Sequence, residues 1–217
     1  YRESITTSEK PDPTTYFNLA RLYMRQQDLK KAKRLIDGYL SIAPNDYEGK
    51  ILLSLYYFNE EDYNAAKDLL NKLVEARPDS KDAYVLLGVI YAECLEEPNS
   101  AIDILKKVVA LDPQNEAFLN NLAYAYLRAG AIEGAKNTLE QIKWDKAGFA
   151  AYATKGLLRI CEGKVEEGSN LYDFAAKLAP NQEWKGLVRQ KKRIEIARYL
   201  NAHGNRPRAI EHLKAVK

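Results

Sequence analysis

Bulky and very small side chains follow one another along this chain in an order that recurs. Tyr16, Leu19, Ala20 and Tyr23 are followed by Ala32; Lys50, Leu53, Ser54 and Tyr57 by Ala66; Tyr84, Leu87, Gly88 and Tyr91 by Ala101; Leu119, Leu122, Ala123 and Tyr126 by Ala135. Within each set, spacings of three and four place the side chains on one face of an α-helix. The small residue and the later alanine leave room for a second helix to approach closely. Pro44, Pro78, Pro113 and Pro180 each follow an apolar, helix-like run, and they are separated by 34, 35 and 67 residues, one, one and two periods of the same length. A proline ends a helix because it lacks an amide donor and restricts the residue before it. The pattern therefore predicts pairs of helices, with turns at Gln27-Asp28, Glu60-Glu61-Asp62, Glu97-Pro98-Asn99 and Gly130. The third set is one residue longer between Tyr91 and Ala101, and the extra residue is expected in the Glu96 to Asn99 turn, where an insertion costs least.

Two later units depart from the pattern. The fourth has Ala147 where a proline is expected, and Trp144 is expected to fill the space near the bend. The fifth, from Tyr152 to Pro180, keeps Gly156 but has Lys155 and Arg159 in place of Leu and Tyr, and Gly168 in place of Ala. Beyond Pro180 the residues Ile196, Ala197, Leu200, Ala209, Leu213 and Val216 suit one more hairpin, whose first helix begins early, near Trp184, and ends at Gly204. The expected organisation is a flexible polar arm over 1–12, five repeats over 13–182 (13–46, 47–80, 81–115, 116–148 and 149–182), and a basic, elongated hairpin over 183–217.

This order of residues resembles the tetratricopeptide repeat family, whose unit is two antiparallel helices joined by a tight turn. The resemblance covers Thr14 to Pro180 well and the remainder loosely. It implies an all-α fold, a right-handed α-solenoid of five to six stacked antiparallel helix pairs. It also implies a concave surface lined by the first helix of each pair. Transferred by position, the lining is Phe17, Arg21, Met24 and Arg25; Ile51, Leu55, Phe58 and Asn59; Val85, Val89, Ala92 and Glu93; Asn120, Tyr124, Leu127 and Arg128; then Ala153, Leu157, Ile160 and Cys161. Tyr23, Tyr57, Tyr91 and Tyr126 fall on signature positions, which implies core rather than an aromatic binding box.

That lining is apolar in its middle, through Ile51, Leu55, Phe58, Val85, Val89, Tyr124 and Leu127, with Arg21, Arg25 and Arg128 at its margins and Asn120 among them. Such a stripe suits an amphipathic helix or an extended apolar peptide. The competing expectation is that tight curvature, or chain outside this sequence, closes the groove. Some relatives clamp the terminal carboxylate of chaperones. Asn18 and Asn121 would suit that role, but the basic clamp positions hold Ile51, Leu55, Val85 and Val89, so that use is disfavoured.

Catalysis finds no support in the motifs. The chain holds no phosphate-binding GxxxxGK[ST] loop, no HExxH and no nucleophile elbow, and its two histidines, His203 and His212, flank a helix end. Two cysteines, Cys94 and Cys161, lie far apart without a CxxC pair, which argues against zinc and suits two separate thiols. No cofactor or metal is expected. The longest uncharged apolar stretch, Tyr84 to Ala92, is far short of the ~20 residues that cross a bilayer.

Charge adds one asymmetry. The net charge is +3, yet residues 185–217 hold ten Lys and Arg against two Glu, while the rest of the chain holds 23 basic and 28 acidic residues. Lys185, Arg189, Lys191, Lys192, Arg193 and Arg198 form the candidate basic patch. The reading is a non-enzymatic scaffold that binds a protein or peptide partner. Its alternatives are self-assembly through solenoid ends and charge-split surfaces, and binding of an anionic ligand or nucleic acid through the basic hairpin. Nucleic acid is disfavoured because only Trp184 and Tyr199 interleave the cations. Since the sequence opens at Tyr1, it is read as a fragment of a cytoplasmic protein, or of a periplasmic or membrane-tethered one if a leading segment was removed.

Overall fold

A computed structural model describes residues 12–215, which contain twelve α-helices and no strand. Residues 1–11, most of the expected arm, and Val216 and Lys217 lie outside the described residues; Asp12, the last residue of that arm, is the N-cap of the first helix. The helices are α1 (Pro13–Arg25), α2 (Leu29–Ile42), α3 (Tyr47–Asn59), α4 (Tyr63–Ala76), α5 (Lys81–Val89), α6 (Pro98–Leu111), α7 (Glu116–Arg128), α8 (Ile132–Leu139), α9 (Phe149–Cys161), α10 (Val165–Leu178), α11 (Gln182–Ala202) and α12 (Arg206–Lys214).

The turn inside most pairs has one construction. The residue just past the cap is left-handed: Gln27 (φ 59°), Glu61 (φ 60°), Gly130 (φ 73°), Gly163 (φ 84°) and Gly204 (φ 78°). Around it, Asp28 N donates to Tyr23 O and Gln27 N to Met24 O, and the same two bonds recur from Asp62 and Glu61, Ala131 and Gly130, Lys164 and Gly163, and Asn205 and Gly204. This double bond is the Schellman arrangement, which satisfies the last carbonyls of the first helix. In three turns the next residue also caps the following helix: Asp28 accepts from Lys31 N at 3.2 Å, Asp62 from Ala65 N at 3.1 Å and Asn205 from Arg208 N at 3.4 Å. Such a turn is too short to do anything but fold one helix back on the other.

Left-handed backbone costs a residue with a Cβ roughly 1–2 kcal/mol, against about 0.5–1 kcal/mol of extra chain entropy for glycine. Exposed Glu61 therefore carries strain that Gly130, Gly163 and Gly204 do not. Glu61→Gly is expected to raise stability by about 0.5–1 kcal/mol, read as a higher urea midpoint; a lower midpoint would contradict this account of the turn.

The four prolines each stand one residue past the C-cap of a second helix, after Ala43, Arg77, Asp112 and Ala179. Where proline is missing, α8 stops at Leu139 and is only 8 residues long against the 14 of α2, α4, α6 and α10. The third turn differs from expectation. The additional residue is taken up before the turn, in a π-helical stretch Ile90–Cys94 closed by Leu95 N donating to Ile90 O at 3.0 Å. Bonding five residues back instead of four absorbs one residue without ending the helix.

The chain divides into two compact units, residues 1–96 and 97–217, and the boundary falls in this third turn. In unit 1 the core is Leu19, Ala20, Tyr23 and Met24 of α1, Ala32 and Ile36 of α2, and Leu52 of α3. Ser54 is fully buried, its hydroxyl donating to Lys50 O at 2.9 Å, and the Tyr47 and Ser80 hydroxyls bond each other across the second pair. In unit 2, α7, α8, α9, α10 and α11 supply one continuous core, from Leu119 to Ile196. Its tightest point is the α9–α10 crossing. A Cβ on Gly168 would stand 2.6 Å from Gly156 O, and one on Gly156 would stand 2.9 Å from Gly168 O. The glycine at 168 thus stands where the pattern has alanine because the backbones here touch.

Tyr23 is buried as its signature position implies, whereas Tyr57, Tyr91 and Tyr126 are half-buried. Among the described residues no helix is long and apolar enough to cross a membrane, and no group of three His, Cys, Asp or Glu is placed to hold a metal ion.

Candidate interaction site

In unit 1 most of the candidate lining residues lie one step off the core face of the first helix of each pair; Met24 and Ala92, expected in the lining, are instead buried at 8% and 4% exposure, and Ala92 and Glu93 fall in the π-helical stretch after α5. Leu52 of α3 is buried at 3% exposure, while Ile51, Leu55 and Phe58, spaced by four and three, form the adjoining stripe and are half-buried. Val85 and Val89 repeat that spacing on α5 and are also half-buried. On α1, Arg21 and Arg25 are exposed, and neither forms an ion pair among the described residues. The Arg21 guanidinium rests 5.8 Å from the Phe17 ring, and Phe58 stands edge-on to Tyr63 at 5.8 Å. Asn59 donates from Nδ2 to Leu55 O at 2.7 Å, which holds its amide against its own helix. The stripe therefore offers apolar carbon to solvent, with positive charge at the α1 end.

Unit 2 buries more of the candidate lining. Leu127, expected to line the groove, is 7% exposed and belongs to the core, as do Leu157 and Ile160. Met24 and Ala92, at the position equivalent to Leu127 and Ile160, are buried in unit 1 as well, so burial at that position is common to both units; α11, 21 residues long, adds cover along α9 and reaches α7. Its Val188 and Ile196 enter the same core, and the Lys191 ammonium sits 4.1 Å from the centre of the Tyr124 ring. Asn120 and Arg128 are half-buried on the same side of α7, and their Oδ1 and Nε atoms are enclosed without a hydrogen bond among the described residues. Burial, then the nearby carboxylate of Glu195, pushes the Cys161 thiol above its ordinary range, with Arg128 pulling the other way. These effects put Glu195 of α11, Cys161 of α9 and Arg128 of α7 in one neighbourhood. Of the concave positions of unit 2, Leu127, Leu157 and Ile160 are thus buried, Asn120, Tyr124, Arg128 and Ala153 are half-buried, and Cys161 stays exposed.

The basic patch is likewise partly used within the molecule. Lys191 is committed to Tyr124, Lys192 pairs with Asp173 at 2.6 Å, and Arg198 donates to buried Glu195 at 2.9 Å. Lys185 is half-buried and Arg198 is exposed but paired, which leaves Arg189 and Arg193, four apart, as the exposed cations of the set without an ion pair among the described residues. Counting charges along the sequence could not separate these roles, because the acceptors lie on other helices or, for Glu195, on the buried face.

Three protein-family models, each described as a tetratricopeptide repeat, match residues 13–46, 51–93 and 95–157. No curated protein sequence matches the chain. Solved structures share its fold. A thermophilic tetratricopeptide-repeat protein of Thermus thermophilus aligns at a TM-score of 0.70 with 18% identity, over 88% of this chain and 99% of that one. PilW, a type IV pilus biogenesis factor, aligns at 0.69 with 17% identity, over 92% and 90%. YrrB, described as having an unusual peptide-binding site, aligns at 0.56 with 20% identity, over 85% and 94%. The helical pairs, their recurring turns and the matched repeats agree: this chain belongs to the tetratricopeptide repeat family.

Proposed function

We propose that the chain is a non-enzymatic protein-interaction scaffold and that the apolar stripe of unit 1 holds an apolar peptide or the apolar face of a helix from its partner. The tetratricopeptide fold is a platform for protein partners, and a peptide-binding site is described for YrrB, a structural neighbour. The observation that carries the reading is the stripe itself. Ile51, Leu55, Phe58, Val85 and Val89 each keep part of their surface in water although their neighbours Leu52, Ala83, Tyr84 and Leu87 are buried. Completing that burial with a partner's side chains yields about 25 cal/mol for each Å² removed from water. Arg21 and Arg25 at one end favour a partner with acidic residues there, which fixes direction.

The test uses peptides selected from a displayed random library on the whole chain. Leu55→Asp and Val89→Asp place a charge on the stripe; Leu55 also packs its half-buried side chain against the unit 1 core, so retained helical content by circular dichroism is the fold check that each variant passes before affinity is read. Peptide affinity is expected to fall at least about tenfold, roughly 1.4 kcal/mol. Unchanged affinity in folded variants would reject the stripe as the site.

A further inference from the structure

Unit 2 carries a second surface that the groove reading does not use. Four of the seven exposed large apolar side chains among its described residues lie toward the edge where α9 and α11 begin and α10 ends; the others, Leu111, Ile210 and Leu213, are on α6 and α12. Phe174 and Leu178 of α10 are each 43% exposed, and Trp184 and Leu187 of α11 are 46% and 47% exposed. Ring contacts tie Phe174 and Trp184 to α9: Trp184 lies 5.5 Å from Phe149, Tyr152 lies 4.7 Å from Phe174, and Phe149 and Tyr152 stand three residues apart on that helix. Tyr152 also stands edge-on to Trp144 at 5.3 Å and donates its hydroxyl to Trp144 O at 3.2 Å, which fixes both rings. Scattered exposed apolar residues are ordinary; rings in contact with one another and open to water are what interaction surfaces show.

Two further features adjoin the patch, one through Trp144 and one along the sequence. Trp144 also walls a pocket of about 180 Å³ lined with Leu139, Leu158, Lys136, Glu140, Lys155 and Arg159. That is below the roughly 300–1,000 Å³ of small-molecule sites and suits a single inserted side chain. It exists because the repeat pattern fails here. Helix α8 stops at Leu139, and Lys155 and Arg159 stand where the other repeats have Leu and Tyr. Lys155 lays its ammonium 4.0 Å from the Trp144 ring, and Arg159 pairs with Glu162 at 2.6 Å. The second feature is charge. Lys143, Lys146, Lys177 and Lys185 lie beside the patch residues in sequence, and none forms an ion pair among the described residues. With Lys136 and Lys155 of the pocket they make six, against four carboxylates without an ion pair among the described residues: Asp145, Glu183, Glu140 of the pocket, and Glu116, whose Oε1 accepts from Gly148 N at 2.9 Å.

We propose that this edge of unit 2 docks an acidic segment of a protein partner, which covers the patch from Phe149 to Trp184 and seats one aromatic or aliphatic side chain in the pocket beside Trp144. The rings supply area at small entropic cost, and the lysines select the sign of the partner's charge. A protein segment is favoured over a lipid surface because a pocket for one side chain has no use against a bilayer.

The experiment titrates the whole chain against a labelled synthetic helix with Glu on one face and Phe and Leu on the other, and against the same helix with Lys for Glu. Saturable binding of the acidic helix is expected, weakened at least tenfold by Trp184→Ala or Phe174→Ala. Lys177→Glu with Lys185→Glu is expected to shift preference toward the lysine helix, and Leu55→Asp, on the other unit, is expected to leave binding unchanged. Phe174 and Trp184 are exposed, so their variants keep the fold, checked by circular dichroism. No saturable binding, or equal binding of both helices, overturns the proposal. So does Trp184-dependent binding to phosphatidylglycerol vesicles, which makes the edge a membrane surface, or Trp184-dependent dimerisation in light scattering, which makes it a self-contact. Failure here with a positive result at Leu55 leaves the groove reading intact.

Discussion

Gly168→Ala is expected to destabilise unit 2 by about 2–3 kcal/mol, although alanine is the better helix former by about 1 kcal/mol. The added methyl would meet Gly156 O and the Ile160 Cγ1 at 2.6 Å, and Ile160 N at 3.1 Å. Two of these three are backbone atoms inside α9, so no side-chain rotation relieves the contact, and α9 and α10 must separate along their length. Separation opens space around Tyr172 and Ala175, which are 1% and 0% exposed. The sign of the effect is the test. Gly186, inside α11, has nothing within 4 Å of where its Cβ would be. Gly186→Ala is therefore expected to stabilise by about 0.5–1 kcal/mol through helix propensity alone. Both tryptophans, Trp144 and Trp184, belong to unit 2, so urea denaturation followed by tryptophan emission reads this unit directly. If Gly168→Ala moved the midpoint the same way as Gly186→Ala, the backbone contact would have no energetic role.

That pair of glycines shows how far the sequence was readable. The period, the prolines and the turn segments announced the helical pairs, because each is a local requirement: bulky and small residues at helical spacing, a short polar turn, and a proline past the second helix. Gly168 was visible as a departure from alanine, but its cause was not, since it depends on Gly156 of the neighbouring helix being at the crossing. The extra residue of the third repeat was counted correctly and placed one segment too late, because a π-helical stretch has no composition of its own to distinguish Ile90–Cys94 from α-helix. The candidate lining was transferred by position, and position alone does not know what covers it. In unit 1 Ile51, Leu55 and Phe58 keep solvent contact while Met24 and Ala92 are core; in unit 2 Val188 of α11 joins the core, Lys191 lies over Tyr124 of α7, and Leu127, Leu157 and Ile160 are buried. The early start of that helix was legible near Trp184, yet nothing local told which of its lysines would meet Tyr124 or Asp173. The aromatic edge was missed for the same reason. Phe149, Tyr152, Phe174 and Trp184 are spread over 36 residues and meet only when three helices end or begin together.

In unit 1 the largest single loss is expected at Ile36. It is 0% exposed on α2 and packs in the cluster that joins α1 to α3, with Leu19, Ala20, Tyr23 and Leu52 around it. Ile36→Ala removes three heavy atoms from a site whose neighbours cannot all close in. Ala20 and Ala32, each 0% exposed, already bring the backbones as near as the pattern allows. The expected cost is about 2–5 kcal/mol, the transfer term plus the cavity left behind. Ile36→Val, which removes one methyl from the same place, is expected to cost only about 0.5–1.5 kcal/mol. Leu22, on the outer side of α1 and 46% exposed, supplies the contrast: Leu22→Ala is expected to change stability by no more than about 0.5 kcal/mol. Unit 1 contains no tryptophan, so the series is followed by circular dichroism of the helices during urea denaturation. A steep order, alanine at 36 far below valine at 36 and leucine-to-alanine at 22 near the parent, is what a core built on close helix approach requires. Equal losses at 36 and 22 would mean that α1 and α2 are held by their turn and not by the side chains between them.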